Sequence, residues 1–131
     1  MKNTIFKLLE YLYYFSLLIL FVLYLFPGSL IGYLLYGNLG QQPNLISNPI
    51  GTSINHLIFF FYLGTLGLII RLKYQNFINS FTVLFFLSIL LELAHCLIPN
   101  RAFEFYDLFA NILGVMIAYL LINIFLKLKI K

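Results

Sequence analysis

Six residues that could bind a ligand or transfer a proton lie close together in the last third of the chain. They are Glu92, His95, Arg101, Glu104, Asp107 and Asn111. Only 9% of the residues are charged and only four are acidic, yet three of those acids fall in this stretch. Ionisable groups at or inside a bilayer are costly unless they are paired, hydrated or functional. In so apolar a chain, this group is the first candidate for a functional site.

Helical spacing allows these side chains to meet. Glu92 and His95 are three residues apart, so they share one face of a helix. Four positions then recur at intervals of three, four and three residues, which makes one stripe on the next helix: Glu104, Asp107, Asn111 and Gly114. Pro99 breaks the chain between the two helices and leaves Arg101 at the mouth of the hairpin. The two helices should therefore be antiparallel neighbours with converging polar groups.

The chemistry of the group has more than one interpretation. Glu92 lies about two turns inside the end of its helix, where a carboxylate needs a partner such as His95. A buried carboxyl beside an imidazole, with Asp107 opposite, suits acid/base catalysis. The same three residues equally suit a polar binding pocket. In a structural alternative, Arg101 pairs with Asp107 or Glu104 while hydrogen bonds from the remaining polar groups hold the hairpin together.

Metal binding and covalent catalysis receive less support. Two imidazoles and two carboxylates are available as ligands: His56, His95, Glu92 and Asp107. The Glu92-x-x-His95 spacing occurs in di-iron bundles, but those carry two copies with further glutamates, and here there is one copy. We therefore expect no metal and no cofactor. Neither Ser88 nor Cys96 suggests a nucleophile, and we expect Cys96 to be a small buried hydrophobe.

Composition and length predict the elements that position these residues. The 131-residue chain is 63% hydrophobic, whereas soluble domains are nearer about 45–50%. Four segments approach the roughly 20 apolar residues that a membrane-crossing helix needs: about 8–26, 56–72, 78–98 and 105–126. The first is longer than the apolar core of about 7–15 residues in a signal peptide, so we interpret it as a retained span. The sequence predicts a single all-α membrane domain over residues 1–131 with four transmembrane helices.

The positions of basic residues predict the orientation. Seven of the eight Lys and Arg residues lie at the termini or between spans two and three: Lys2, Lys7, Arg71, Lys73, Lys127, Lys129 and Lys131. Short cytoplasmic segments are enriched in Lys and Arg, so both termini should be cytoplasmic and the polar group should face outward. His56, which opens span two, then lies on the same side. The net charge of +4 is explained by topology and lipid headgroups, and we expect no nucleic-acid partner.

The connection between spans one and two has two parts. Residues 29–37 form a short apolar stretch that either lies in the interface or prolongs the first span. Residues 38–52 contain Pro43, Pro49 and several Asn, Gln and Gly residues, so they are predicted to be irregular.

The spacing of these residues also resembles a known family. The matching positions are Asn55-His56, Glu92-x-x-His95, Pro99-Asn100-Arg101, Asp107, Asn111 and Gly114, within residues 50–118. Together they resemble the VanZ-like family of small membrane proteins, named after a member associated with low-level teicoplanin resistance. The resemblance implies a multi-span membrane protein that acts at the cell envelope. Many members carry Asp-Lys where this chain has Thr52-Ser53, and the usual Gln is His95, which adds a titratable group.

These observations favour a protein of the bacterial inner membrane with an outward-facing pocket for the headgroup of an envelope lipid or a lipid-linked precursor. The predicted ligand-binding residues are His56, Glu92, His95, Arg101, Glu104, Asp107 and Asn111. Arg101 would contact an anionic group, which Glu92, His95 and Asp107 would orient or protonate. One alternative is an intramembrane hydrolase or transferase that uses the Glu92 and His95 pair, with Asp107 as a further catalytic candidate. Another is a structural or assembly subunit of a membrane complex.

Overall fold

The computed structural model describes residues 2–43 and 51–129, and each regular element in these ranges is helical. The α-helices are α1 (Lys2–Leu25), α2 (Leu30–Tyr36), α3 (Gly51–Arg71), α4 (Phe81–Ala94) and α5 (Phe105–Lys129). Two 3-10 turns, Phe77–Asn79 and His95–Leu97, flank α4. The predicted all-α class is therefore confirmed.

Three helices are long and apolar enough to cross a membrane. They comprise Thr4–Leu25, Ser53–Arg71 and Phe105–Leu128, which correspond to the first, second and fourth predicted spans. The predicted span 78–98 differs, because its apolar helical part is shorter and covers Phe81–Leu97. Ser80 begins this helix by accepting a hydrogen bond from the backbone N–H of Val83 at 3.2 Å. The serine cap separates α4 from the preceding 3-10 turn.

The second span begins earlier than its hydropathy predicts. Helix α3 starts at Gly51 instead of residue 56, because Ser53 and Asn55 in its first turns have partners inside the protein. The side chain of Asn55, for example, donates to the backbone oxygen of Pro43 at 2.7 Å. Of the connection predicted to be irregular, residues 44–50, which include Pro49, lie outside the described residues.

Residues 30–36 form a separate short helix and do not prolong α1. Gly28 turns the chain with a φ of +91°, and the Ser29 side chain then caps α2 by accepting from the N–H of Gly32 at 2.9 Å. A Cβ atom on Gly32 would lie 1.6 Å from the backbone oxygen of Gln41. The return of the chain across α2 therefore requires glycine at this position.

The four longer helices pack in alternating directions around one core. Helices α3 and α5 run parallel and in close contact, since a Cβ on Gly114 would lie only 2.6 Å from the backbone oxygen of Leu57. Helices α1 and α4 run the opposite way. The core consists mainly of large apolar residues at helical spacing: Tyr13, Leu17, Leu20, Tyr24, Phe60, Leu63, Leu66, Ile70, Leu84, Leu91 and Val115.

The outer surface of the bundle is strongly apolar. Leu18, Phe86 and Leu120, on three different helices, are each more than half exposed. Large contiguous apolar surfaces on soluble proteins are rare and mark contacts with membranes or other proteins. Together with the three apolar helices, this surface is that of a membrane protein.

The alternating helices give the bundle two chemically different ends. At one end α1 and α4 finish and α3 and α5 begin. The opposite end carries the basic residues Lys7, Arg71, Lys73 and Lys127. Contacts between α1 and the segment after α3 close that basic end, where Lys73 Nζ lies 5.0 Å from the ring centroid of Phe6.

Candidate functional site

A buried polar cluster lies at the end of the bundle opposite the basic residues. Its members come from four helices and one 3-10 turn: Tyr24, Ser53, His56, Glu92, His95, Asp107 and Asn111. Glu92 and Asn111 have no exposed surface, and Asp107 is 4% exposed. Polar groups buried to this extent need hydrogen-bond partners or a ligand.

Glu92 is the acceptor at the centre of the cluster. Its Oε1 lies 3.2 Å from His95 Nδ1 and accepts from the backbone N–H of Glu104 at 3.3 Å. Its Oε2 accepts from Asn111 Nδ2 at 3.4 Å. At the end of α4 the backbone N–H of His95 bonds to the carbonyl of Glu92, three residues earlier, and this tight turn aligns the imidazole with the carboxylate. The predicted partnership of Glu92 and His95 is confirmed.

His56 lies between the two buried carboxylates. Its Nε2 is 3.5 Å from Asp107 Oδ2, and its Nδ1 is 3.8 Å from Glu92 Oε2. Nδ1 is also 2.8 Å from the hydroxyl of Tyr24, and that hydroxyl donates to Asn111 Oδ1 at 2.8 Å. Since the tyrosine proton is engaged with Asn111, the tyrosine oxygen accepts from His56 Nδ1–H.

Asp107 opens the first turn of α5, where the helix dipole favours a negative charge. Its Oδ1 accepts from the hydroxyl of Ser53 at 2.5 Å. Ser53 belongs to the Thr52-Ser53 pair, which stands where many members of the family carry Asp-Lys. In this chain Ser53 takes up a place in the cluster, one helical turn before His56.

Arg101 binds the end of α1 and not an acid. Its Nη2 donates to the backbone oxygen of Leu23 at 2.6 Å, and its Nε donates to that of Phe26 at 3.4 Å. A guanidinium at the carbonyl end of a helix complements the helix dipole. Burial lowers the pKa of Arg101, while the Glu92 and Asp107 carboxylates act in the opposite direction. The ion pair of the structural alternative, between Arg101 and Asp107 or Glu104, does not occur among the described residues.

Glu104 contributes its backbone more than its side chain. The carbonyl accepts from the N–H of Leu108 at 3.0 Å and so begins α5, while the Glu104 N–H contacts Glu92. The side chain itself is exposed. Partial burial raises the pKa of this carboxyl, and the negative charges of Asp107 and Glu92 add to the effect.

A cleft of about 140 Å³ adjoins the cluster between the ends of the helices. Its polar lining comprises Tyr24, Ser29, Gln42, Asn55, His56, His95 and Arg101, and its apolar lining includes Leu20, Leu23, Ile31 and Phe59. Two buried polar atoms of residues that line it have no hydrogen-bond partner, namely His95 Nε2 and Asn55 Oδ1. The Tyr24 ring holds His95 in place by stacking at 5.2 Å with an interplanar angle of 20°.

Three of the four metal-ligand candidates are close enough to share an ion. One donor atom from each of His56, Glu92 and Asp107 lies within 4.8 Å of the other two. His95 is not in this set. His56 and His95 line the cleft, whereas Glu92 and Asp107 are not among its lining residues and lie deeper in the protein.

Cys96 is exposed, and the expectation that it is a buried hydrophobe is wrong. It follows His95 in the 3-10 turn, and this turn directs His95 inward and the next two side chains outward.

Tyr24, Ser53 and Asn55 are the site residues that were not predicted. Tyr24 lies at the predicted outer end of span one, on the same side as the cluster. Ser53 and Asn55 precede His56 closely, and Asn55 belongs to the Asn-His pair noted in the family resemblance. Orientation and helical spacing therefore contained a signal for all three residues.

Comparisons with known proteins identify the family of this chain. A sequence profile of the VanZ/LLP1 family matches residues 11–126, a range that includes every member of the polar cluster. No curated protein and no solved structure matches the chain. Since the profile covers most of the chain, the protein belongs to the VanZ/LLP1 family.

Proposed function

We propose that this protein binds, in its polar cleft, the headgroup of an anionic envelope lipid or lipid-linked precursor at the outer face of the bacterial inner membrane. The observation that carries the proposal is the pair of buried, unpartnered atoms, His95 Nε2 and Asn55 Oδ1, which belong to two residues that line the same cleft as Arg101. Buried polar atoms without a partner are costly, and a bound ligand would satisfy them.

The two unpartnered atoms define the chemistry of the ligand. An amide oxygen only accepts hydrogen bonds, and His95 Nε2 also accepts when Nδ1 donates to Glu92. The ligand must therefore supply donors, such as the hydroxyls of glycerol or a sugar. Arg101 donates two of its five N–H groups to backbone oxygens at the end of α1. The remaining N–H groups can donate to an anion such as a phosphate. A phosphate next to hydroxyls is the chemistry of a phosphatidylglycerol headgroup or a lipid-linked sugar.

The apolar half of the cleft supports a lipid in preference to a free sugar phosphate. Leu20, Leu23, Ile31 and Phe59 line the cleft beside the polar groups. An acyl or polyprenyl chain would cover these side chains, and burial of apolar surface contributes about 25 cal/mol per Å². A water-soluble ligand would leave them exposed.

The proposed orientation follows from the two ends of the bundle. Basic residues favour the cytoplasm, and the basic end is opposite the cleft. Helix α4 would make the fourth crossing. With the 3-10 turn that follows it, Phe81–Leu97 extends about 27 Å, close to the hydrocarbon thickness of about 30 Å. Both termini would then be cytoplasmic.

Cys96 allows a direct test of this topology. It is exposed and lies at the cleft end of the bundle. A membrane-impermeant maleimide added to intact cells should label it. The matched control is Cys96→Ser with Lys127→Cys at the opposite end, which should be labelled only after permeabilisation. The reverse pattern would show that the cleft faces the cytoplasm.

Lipid binding should depend on Arg101. Native mass spectrometry of the detergent-purified protein, titrated with phosphatidylglycerol and with a polyprenyl-phosphate-linked sugar, should show binding that phosphatidylcholine does not reproduce. Arg101→Gln should weaken it by roughly tenfold or more, since a hydrogen bond to a charged group contributes about 1.5–3 kcal/mol. Arg101→Lys keeps the charge and should lose less.

Arg71→Gln is the control, because it removes the same charge at the other end of the bundle. Equal affinity of wild type, Arg101→Gln and Arg71→Gln for these lipids would refute the proposed pocket and favour a structural or assembly role.

The Glu92 and His95 arrangement favours a second candidate function. A carboxylate on Nδ1 leaves Nε2 of this cleft-lining residue without a partner, and histidine is oriented in the same way in acid/base catalysis. A hydrolase or transferase would convert the bound lipid, so the mass of the lipid after incubation separates this candidate from binding alone.

A further inference from the structure

We propose that His56, Glu92 and Asp107 bind one divalent metal ion, Zn²⁺ or Mn²⁺, behind the cleft. One imidazole and two carboxylates suit these ions, since imidazole favours Zn²⁺ and carboxylates favour Mn²⁺. The proposal replaces our expectation from sequence that no metal binds. It does not rest on the lipid-binding function.

The distances are close to those of a coordinated ion. His56 Nε2 and Asp107 Oδ2 are 3.5 Å apart, and two donors at that separation with bonds of about 2.1 Å subtend about 113° at the ion. This is near the tetrahedral angle. The three donor atoms lie within 4.8 Å of one another, whereas donors on one ion are at most about 4.2 Å apart. Glu92 Oε2 lies 3.8 Å from His56 Nδ1, the nitrogen that donates to Tyr24, so the Glu92 carboxylate must turn toward Nε2 to join the ion.

The hydrogen-bond contacts of His56 favour a cation at this point. Its Nδ1 carries a proton that is donated to Tyr24. In the neutral ring Nε2 then has a lone pair, and that lone pair faces a carboxylate oxygen of Asp107 at 3.5 Å. Two acceptors in this position require a proton or a metal ion between them.

The charges around the site also favour a cation. Glu92 and Asp107 are almost completely buried, and among the described residues no Lys or Arg lies within 4.0 Å of either carboxylate. Buried carboxylates are normally paired with cations or coordinate metals. Two negative charges around one divalent ion would be neutralised.

Each proposed ligand has a partner that orients it. Tyr24 accepts from the distal nitrogen of His56, Ser53 donates to the second oxygen of Asp107, and Asn111 donates to Glu92. Such outer partners fix the tautomer and the rotamer of metal ligands. Since His56 lines the cleft, an ion can reach the site from there.

Metal titration of the purified protein tests the proposal. After treatment with EDTA and dialysis, isothermal titration calorimetry with Zn²⁺ and with Mn²⁺ should show one equivalent bound for at least one of them. Binding to the folded state should also raise the thermal unfolding temperature. Asp107→Asn should weaken binding at least tenfold, and Ser53→Ala should weaken it by roughly 10–100-fold through loss of the orienting bond.

Glu10→Gln is the matched control, because it removes a carboxylate outside the proposed ligand set, whose hydrogen bond to Asn76 is exposed. It should bind the ion as wild type does. The proposal is wrong if wild type takes up neither ion stoichiometrically, in which case a protonated His56 bridges the carboxylates. It is equally wrong if Asp107→Asn binds as well as wild type.

If Asp107→Asn does not fold, the visible spectrum of Co²⁺ added to the wild-type protein tests whether the metal site exists. A spectrum of protein-bound Co²⁺ with nitrogen and oxygen ligands supports the site, and one identical to Co²⁺ in buffer overturns it. If the protein binds lipid but no metal ion, the proposed lipid-binding function still holds and the metal site is wrong. If it binds a metal ion but no lipid, the metal site holds and the proposed function is wrong.

Discussion

Replacement of Glu92 by leucine should destabilise the protein by about 3–5 kcal/mol, the cost of removing one partner from a buried charged group. Leucine has nearly the same size, so the effect would come from lost hydrogen bonds. His95 Nδ1, Asn111 Nδ2 and the Glu104 N–H would all lose their acceptor at a position with no exposed surface. Reversible unfolding with SDS in detergent micelles, followed by circular dichroism, measures the change.

Two variants separate this effect from a general loss of charge. Glu92→Gln keeps one acceptor oxygen, so it should cost less than Glu92→Leu. Glu10→Leu removes an acid whose hydrogen bond to Asn76 is exposed, and it should change stability by only about 0.5 kcal/mol. If Glu92→Leu is as stable as Glu10→Leu, the cluster does not hold the helices together.

Gly114→Ala should destabilise the bundle by about 1–3 kcal/mol, as overpacking of a close contact does. The added Cβ would lie 2.6 Å from the Leu57 oxygen and 2.8 Å from the Phe61 nitrogen. Both are backbone atoms of α3, so no side chain can rotate away and the two helices must separate. Because α3 carries His56 and α5 carries Asp107, the same variant should also weaken ligand binding.

Gly64→Ala is the natural control for Gly114→Ala. It adds the same methyl group to the same helix pair, where the nearest atom is the Cβ of Ala118 at 3.0 Å. The same unfolding measurement should show a smaller loss of stability. Equal losses for the two variants would mean that backbone contact at Gly114 does not set the helix separation.

Much of the helical framework could be predicted because its signals are local. Runs of apolar residues marked three of the long helices, and spacing along one helix paired Glu92 with His95. Hydropathy was less informative at helix ends. It placed the start of α3 at residue 56, since it scores Ser53 and Asn55 as polar and contains no information on the partners that bury them.

The contacts of Arg101 could not be predicted from the spacing of residues along the sequence. Nearby acids in the sequence suggested an ion pair, but the guanidinium binds backbone carbonyls of α1, more than 70 residues away. A carbonyl at a helix end is a strong acceptor in any sequence, so residue types contain no signal for it. The helix that Arg101 reaches depends on how the bundle is assembled.

The sequence by itself determined that the protein is an α-helical membrane protein, which end of the bundle is basic, and that Glu92, His95, Asp107 and Asn111 belong to one site. Only the tertiary structure decided which groups complete that site, since Tyr24 and Ser53 come from other helices. It also left His95 Nε2 and Asn55 Oδ1, on two residues that line the cleft, without hydrogen-bond partners. The physical reason is that periodicity defines the faces of a single helix. The rotation and register between helices depend on contacts such as that of Gly114 with α3, and these bring distant residues together.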